Sequence, residues 1–231
     1  MTHALPEYIE AETGAAPQHC VIWLHGLGAD GRDFADLPGM LNLPAQMAIR
    51  FLFPHARMRP ITLNGGMMMR GWYDLTGLDA NKKEDLDGLE ESSDLVTALI
   101  HQEVARGIPA DQILLGGFSQ GGALSLYLGL RYPSRLAGIV GLSTYLPEAS
   151  RVRAERSEAN RNTRVFMGHG LHDPMVSVQF GDSSRQLLEE LGYPLTWRTY
   201  PMQHSICEPE MRDLAEFFVG CLSGSTGTDH G

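Results

Sequence analysis

The sequence predicts an α/β fold with a mostly parallel central sheet and helices on both faces. Short apolar runs, typical of buried strands, alternate along the chain with longer segments that have helical spacing. Parallel strands joined by helices need right-handed crossovers, which place helices on both faces of the sheet. The 231 residues contain no internal repeat and no dividing linker, so we expect one domain over residues 1–222 and a disordered polar tail over residues 223–231.

The strands are predicted at six apolar runs that are bounded by glycine, proline or polar residues. These runs are 20–24, 49–53, the residues directly before Gly117, 136–142, 164–168 and 195–200. Helical spacing is found over residues 86–104, 123–132, 178–191 and 209–222. Between these elements we expect a long loop over 54–76 and a solvated loop or short surface helix over 148–162.

The composition excludes several classes of function. A net charge of −10 argues against nucleic acids and anionic membrane surfaces as main partners. No apolar run approaches the ~20 residues of a membrane span, so we expect no integral membrane association. The first residues lack the basic and apolar regions of a signal peptide. Cys20, Cys207 and Cys221 cannot all pair and lack metal-ligand spacing, so we expect reduced thiols in a cytoplasmic protein.

A nucleophile is predicted where the third strand passes into a helix. Gly117-Phe118-Ser119-Gln120-Gly121 is a G-x-S-x-G motif, and in this strand–turn–helix setting the serine sits on a strained turn that exposes its hydroxyl. The Gln120 amide lies at a helix N-terminus, where unpaired N–H groups favour a developing anion. The motif therefore predicts Ser119 as nucleophile and the Gln120 N–H as an oxyanion donor. The alternative is a glycine-rich turn that merely contains a serine.

A serine nucleophile needs a base and an orienting acid, and the order along the chain points to both. His204 follows the last strand, where a C-terminal loop can reach the elbow, whereas the other later histidines lie in the acid-bearing region or the tail. Asp173 follows the 164–168 strand, at the edge where the carboxyl ends of parallel strands gather catalytic groups. Two ordinary interpretations stay open: a turn-initiating Asp173 before a proline, and a His204 that caps the next helix.

The glycine-rich loop 26–31 follows the first strand and has two interpretations. It matches the G-x-G-x-x-G pattern of dinucleotide sites, but residues 51–55 offer no acid to bind a ribose, and an NADP site would depend on Arg57 alone. The other interpretation is a loop that supplies the second oxyanion amide, for which Leu27 is best placed. We favour the second interpretation and expect no cofactor.

A metal site is a further alternative. Its ligands would be His25, His169, His172 and Asp173. Two histidines three residues apart could meet on a helix, but the segment is too rich in glycine to be helical. We therefore expect no metal.

Five sequence blocks together resemble the bacterial carboxylesterase and acyl-protein thioesterase family, within the phospholipase/carboxylesterase group of α/β-hydrolases. The resemblance extends from Gln18 to Leu222, and its blocks are His25–Gly31, Arg70–Asp74, Gly117–Gly122, His169–Pro174 and Gln203–Ser205. It implies an α/β-hydrolase fold with little or no lid. It also implies Ser119, Asp173 and His204 as triad, Leu27 and Gln120 amides as oxyanion hole, and often a homodimer. The implied reaction is hydrolysis of short- to medium-chain acyl esters or thioesters, with lysophospholipids as a further substrate class.

The same resemblance implies which residues border the acyl groove. Met68, in a run of three methionines, and Trp72 lie in the segment that borders it, and Met175 and Val176 follow the predicted acid. Methionine side chains adapt to varied shapes, although ordinary packing explains them equally well. Two other functions stay open: a non-catalytic binding module with this fold, and a dienelactone-type lactone hydrolase, which usually carries cysteine where this chain has Ser119.

Overall fold

The computed structural model describes residues 5–77 and 84–223. Within them, nine strands form two sheets. The strands are β1 (Tyr8–Glu12), β2 (His19–Leu24), β3 (Ile49–Pro54), β4 (Met58–Ile61), β5 (Met67–Arg70), β6 (Ile113–Phe118), β7 (Gly138–Leu142), β8 (Val165–Gly170) and β9 (Leu195–Tyr200). The central sheet has the order β1-β3-β2-β6-β7-β8-β9, and only β1 runs antiparallel to its neighbour. The predicted mostly parallel sheet is confirmed.

Helices cover both faces of this sheet. They are α1 (Leu37–Leu41), α2 (Leu86–Ala105), α3 (Gln120–Arg131), α4 (Val152–Glu155), α5 (Val178–Glu190) and α6 (Glu208–Leu222). Alternate side chains of β2 enter different clusters: Ile22 packs with residues of α2 and α3, whereas Trp23 packs with residues of α1 and α6. This alternation follows from the two-residue period of a strand and buries the sheet on both sides.

The structure differs from the sequence-based expectation in two segments of the first half of the chain. Strand β1 was not expected, and the expected long loop over 54–76 contains the antiparallel hairpin of β4 and β5. Gly65 and Gly66 form its turn with φ of 65° and 79°, a backbone conformation that glycine adopts without steric cost. The expectation of an irregular loop is therefore wrong for this segment.

The 148–162 segment forms three short helical turns, of which α4 is one. This agrees with the expected short surface helix, since the segment is mostly exposed or half-buried, with Val152 and Asn160 as its buried residues. The Asn160 amide donates to the carbonyls of Tyr132 and Ser134 and accepts from the Leu136 N–H, so it joins the end of α3 to the start of β7. The hydrogen bonds of Asn160 therefore attach this surface segment to the core.

In the described part of the chain, no helix is both long enough and apolar enough to cross a membrane. Of the predicted tail, residues 224–231 lie outside the described residues.

Candidate active site

Ser119 lies at the end of β6, directly before α3, with a strained φ of 54° and ψ of −120°. The turn is possible because its flanking glycines allow close backbone contact. A Cβ on Gly117 would lie 2.6 Å from the Leu24 carbonyl oxygen, and one on Gly121 would lie 2.2 Å from the same atom. The Ser119 N–H donates to the Leu142 carbonyl at 2.8 Å. Neighbouring strands thus hold the serine in an unfavourable conformation that directs its hydroxyl away from the sheet.

Three side chains from distant parts of the sequence form one hydrogen-bonded chain. His204 Nε2 lies 3.0 Å from Ser119 Oγ, and His204 Nδ1 lies 2.7 Å from Asp173 Oδ2. The Asp173 side chain is fully buried. A carboxylate only accepts hydrogen bonds, so the Nδ1–H of the imidazole donates to it and the Nε2 lone pair faces the serine hydroxyl. This tautomer is the one needed to remove the serine proton.

The Asp173 carboxylate is fixed by its own loop. Its Oδ1 accepts the backbone N–H groups of Met175 and Val176, both at 2.8 Å, which leaves Oδ2 for His204. His169, fully buried at the end of β8, donates from Nε2 to the Val176 carbonyl at 2.8 Å. Burial lowers the pKa of His169, which favours the neutral imidazole at neutral pH. It therefore braces the acid loop through a hydrogen bond rather than through charge.

The loop that carries His204 is held against the acid loop. The N–H groups of Leu171 and His172 donate to the carbonyls of Tyr200 and Met202, at 2.8 and 3.0 Å. The ring of His204 also packs on Phe118, with centroids 4.8 Å apart. The ends of β8 and β9 thus present acid and imidazole as one rigid unit beside the elbow.

Two backbone amides near the serine are available to an oxyanion. Within the described residues, neither the Leu27 N–H nor the Gln120 N–H donates to another group of the protein. Gln120 is the first residue of α3, where the aligned peptide dipoles favour negative charge. Both residues line the same cavity as Ser119 and His204.

This cavity has a volume of about 570 Å³ and a mostly apolar lining. Met175 and Val176 line it, but Met68 and Trp72 do not. In β5 successive side chains face opposite sides, so Met69 reaches the cavity while Met68 is 56% exposed. Trp72 is buried and does not line the cavity, whereas its neighbour Tyr73 does. The structure therefore places Met69 and Tyr73, rather than the expected Met68 and Trp72, at the wall of this cavity.

Apart from Ser205, which belongs to the Gln203–Ser205 block, the other lining residues carried no recognisable sequence signal. They are separated along the chain and converge only in the folded state: Phe34, Leu63, Leu75, Tyr145, Ser205 and Ile206. The hydroxyls of Tyr73 and Tyr145 lie 3.1 Å apart at the cavity wall.

The glycine-rich loop and the buried histidines have structural explanations. A Cβ on Gly31 would lie 2.2 Å from the Phe53 carbonyl oxygen, so close strand packing accounts for this glycine. His25 is buried: its Nδ1–H donates to the Gly26 carbonyl and its Nε2 accepts the Ala56 N–H. Among the residues that the structure describes, no group of three or more potential ligands could hold a metal ion.

Comparison with known proteins identifies the family. Residues 7–222 match the model of the phospholipase/carboxylesterase family. The chain is 40% identical over 208 residues to acyl-protein thioesterase 1 of Neurospora crassa, covering 86% of this chain and 85% of that protein. It is also 40% identical over 215 residues to acyl-protein thioesterase 1 of Gibberella zeae, covering 89% and 92%. These relatives are fungal, so the bacterial part of the resemblance is not supported.

Solved structures with the same fold are also found. Arabidopsis thaliana SOBER1 superimposes with a TM-score of 0.84 at 30% identity, covering 88% of this chain and 99% of that one. Zea mays acyl-protein thioesterase 2 gives a TM-score of 0.84 at 27% identity, covering 94% and 99%. The chain therefore has the α/β-hydrolase fold, belongs to the phospholipase/carboxylesterase family and is a hydrolase.

Proposed function

We propose that the protein hydrolyses acyl esters and thioesters through a covalent acyl-enzyme on Ser119, with His204 as general base and Asp173 as the acid that orients it. The observation that carries the proposal is the hydrogen-bonded chain from Asp173 through His204 to Ser119, which opens onto an apolar cavity. Leu27 and Gln120 line the same cavity, and their backbone N–H groups have no acceptor within the described residues, which supports an oxyanion hole.

The reaction follows from this geometry. His204 Nε2 takes the Ser119 proton as Oγ attacks the carbonyl carbon, and the Leu27 and Gln120 N–H groups bind the resulting oxyanion. Collapse of the tetrahedral intermediate breaks the bond to the leaving alcohol or thiol, which receives the proton from His204. Water then attacks the acyl-enzyme in the same way and releases the carboxylic acid. Ionised Asp173 stabilises the imidazolium that forms in each half-reaction.

The cavity supports short- to medium-chain acyl groups as substrates. Its side-chain lining is mostly apolar, which favours a hydrocarbon chain over a charged group. The relatives named acyl-protein thioesterases support thioesters beside oxygen esters, and the family description supports lysophospholipids as a further class. Met69 and Met175, both flexible, favour tolerance of several chain lengths.

We also propose a domain organisation, a cellular location and an oligomeric state for the enzyme. We propose one catalytic domain over residues 1–222, which the family match over 7–222 supports. We further propose a cytoplasmic location, supported by three free cysteines. A homodimer is proposed from the family resemblance, with the exposed Met67 and Met68 as apolar surface that a second subunit could cover.

The test is hydrolysis of p-nitrophenyl esters by Ser119→Ala. We expect kcat/KM to fall by about 10³-fold or more, with an unchanged circular dichroism spectrum, because the nucleophile is removed without a change of fold. Ser183→Ala, on the exposed side of α5, is the matched control and should keep full activity. Turnover by Ser119→Ala near that of the control would refute the assignment. An inactive wild-type protein that also fails to react with a fluorophosphonate would indicate a binding module.

A further inference from the structure

We propose that residues 70–73 form a bridge that sets the separation of the two oxyanion amides, with the Gln120 side chain and the Trp72 indole as its positioning residues. The inference rests on the proposed function, and it assigns a role to side chains that do not touch the substrate.

The first end of the bridge is the Gln120 side chain, which is attached to the same residue as one oxyanion amide. The residue is only 5% exposed. Its Oε1 accepts the Trp72 backbone N–H at 2.9 Å, and its Nε2 donates to the Tyr73 carbonyl at 2.7 Å. Both ends of the side-chain amide are therefore bound to consecutive residues of the bridge. The first turn of α3 cannot move relative to this segment without breaking two buried hydrogen bonds.

The other end of the bridge holds the loop that carries Leu27. The Trp72 Nε1–H donates to the His25 carbonyl at 2.9 Å, and the Gly28 N–H donates to the Arg70 carbonyl at 2.8 Å. The chain is thus tied on both sides of Leu27. A Cβ on Gly71 would lie 3.1 Å from Leu27 Cδ1 and 3.6 Å from Gln120 Oε1. At Gly71 the bridge therefore passes close to both residues that supply the oxyanion amides.

The bridge is itself anchored in the core. The Arg70 guanidinium donates to the Ala56 carbonyl at 2.8 Å, and the Ser92 hydroxyl of α2 donates to the Trp72 carbonyl. Trp72 is 1% exposed, so its indole lies in a rigid environment. Such rigidity has a function, because oxyanion donors act only when they lie at hydrogen-bond distance from the developing charge, and a displacement of ~1 Å is costly.

Substitutions at Gln120 separate the role of its backbone amide from the role of its side chain. Because the oxyanion donor is a backbone N–H, a side-chain substitution leaves the donor in place and changes only what holds it. Gln120→Met has similar size and no hydrogen bonds, and Trp72→Phe removes the indole N–H. Gln112→Met is the matched control, since Gln112 is a similarly buried glutamine at the opposite end of β6.

The measurements are kcat and KM for p-nitrophenyl butyrate, and the inhibition constant of an alkyl trifluoromethyl ketone, whose hemiketal places an oxyanion in the site. We expect Gln120→Met to lower kcat by about 10- to 100-fold with KM within about 2-fold, and to weaken the ketone in proportion. Trp72→Phe should show a smaller change in the same direction. The double variant should lose less than the product of the single losses, because both act through one segment.

The inference is overturned if Gln120→Met keeps kcat within about 2-fold of the Gln112→Met control, or if its loss lies in KM. Should Gln120→Met not fold, Trp72→Phe decides the matter by the same criterion. Failure of the proposed function is distinguishable, since Ser119→Ala would then be as active as the wild-type protein.

Discussion

Glu210 lies in the first turn of α6, six residues after His204, and is fully buried. Neither carboxyl oxygen has a hydrogen-bond partner within the described residues. Its Oε1 is so close to β8 that a Cβ on Gly168 would lie 2.3 Å from it. Burial, with a smaller contribution from the charge of Asp213, raises the pKa of Glu210 from 4.5 to about 8. The carboxyl is therefore protonated in the folded protein at neutral pH.

The sign and size of the effect on stability follow from this pKa. The folded state binds the proton more tightly than the unfolded state. The contribution of Glu210 to the free energy of unfolding therefore falls as pH rises from about 4.5 to about 8 and is constant outside that range. At 1.36 kcal/mol per pKa unit, the full shift corresponds to about 5 kcal/mol. Relaxation and water entry on ionisation reduce this, and we expect about 2–5 kcal/mol.

Glu210→Gln mimics the neutral carboxyl and should remove this pH dependence. The assay is urea denaturation at a series of pH values from 5 to 9, compared with Glu208→Gln, an exposed residue of the same helical turn. We expect Glu210→Gln to be more stable than the wild-type protein above pH 8, and Glu208→Gln to follow the wild-type curve. Parallel curves for the wild-type protein and Glu210→Gln across this range would refute the reasoning, because they would show that folding does not raise the pKa of Glu210.

Two further substitutions test the rigidity of the site. His169→Ala removes the hydrogen bond to the Val176 carbonyl. It should lower the unfolding free energy by ~1–3 kcal/mol, measured by denaturation, and should also lower kcat, measured by ester turnover. Unchanged values of both quantities would contradict the bracing role. Gly121→Ala places a Cβ 2.2 Å from the Leu24 carbonyl oxygen and should cost ~1–3 kcal/mol or more in thermal unfolding. Gly39→Ala in α1, where a Cβ has no neighbour within 4 Å, is the control and should not destabilise; equal melting temperatures for the two variants would be inconsistent with the elbow packing.

Much of the fold could be predicted because the parallel strands are buried on both faces and appear as continuous apolar runs. Strand β1 was not predicted because Tyr8–Glu12 is an edge strand that contains two glutamates. Its pairing with β3 depends on residues some 40 positions later in the chain. The hairpin of β4 and β5 escaped because each strand has only four residues and β4 contains Pro60. Its formation is decided by tertiary contacts that local sequence does not report.

At the candidate site, the elbow motif and the order of acid and histidine pointed to three side chains that the structure places in hydrogen-bond contact. The residues of the cavity wall were harder to predict from the sequence. Choosing Met69 over Met68 requires the register of a strand that was not predicted. The pairing of the Gln120 side chain with Trp72 joins residues 48 positions apart and has no local signal.

The proposed mechanism requires that Ser119 becomes acylated during turnover. The most direct measurement is intact-mass and peptide mass spectrometry of protein quenched with acid during reaction with p-nitrophenyl butyrate. We predict a single butyryl adduct on the peptide that contains Ser119, and no such adduct in Ser119→Ala. A butyryl adduct on another residue, or turnover by the wild-type protein with an adduct that persists in Ser119→Ala, would contradict the account.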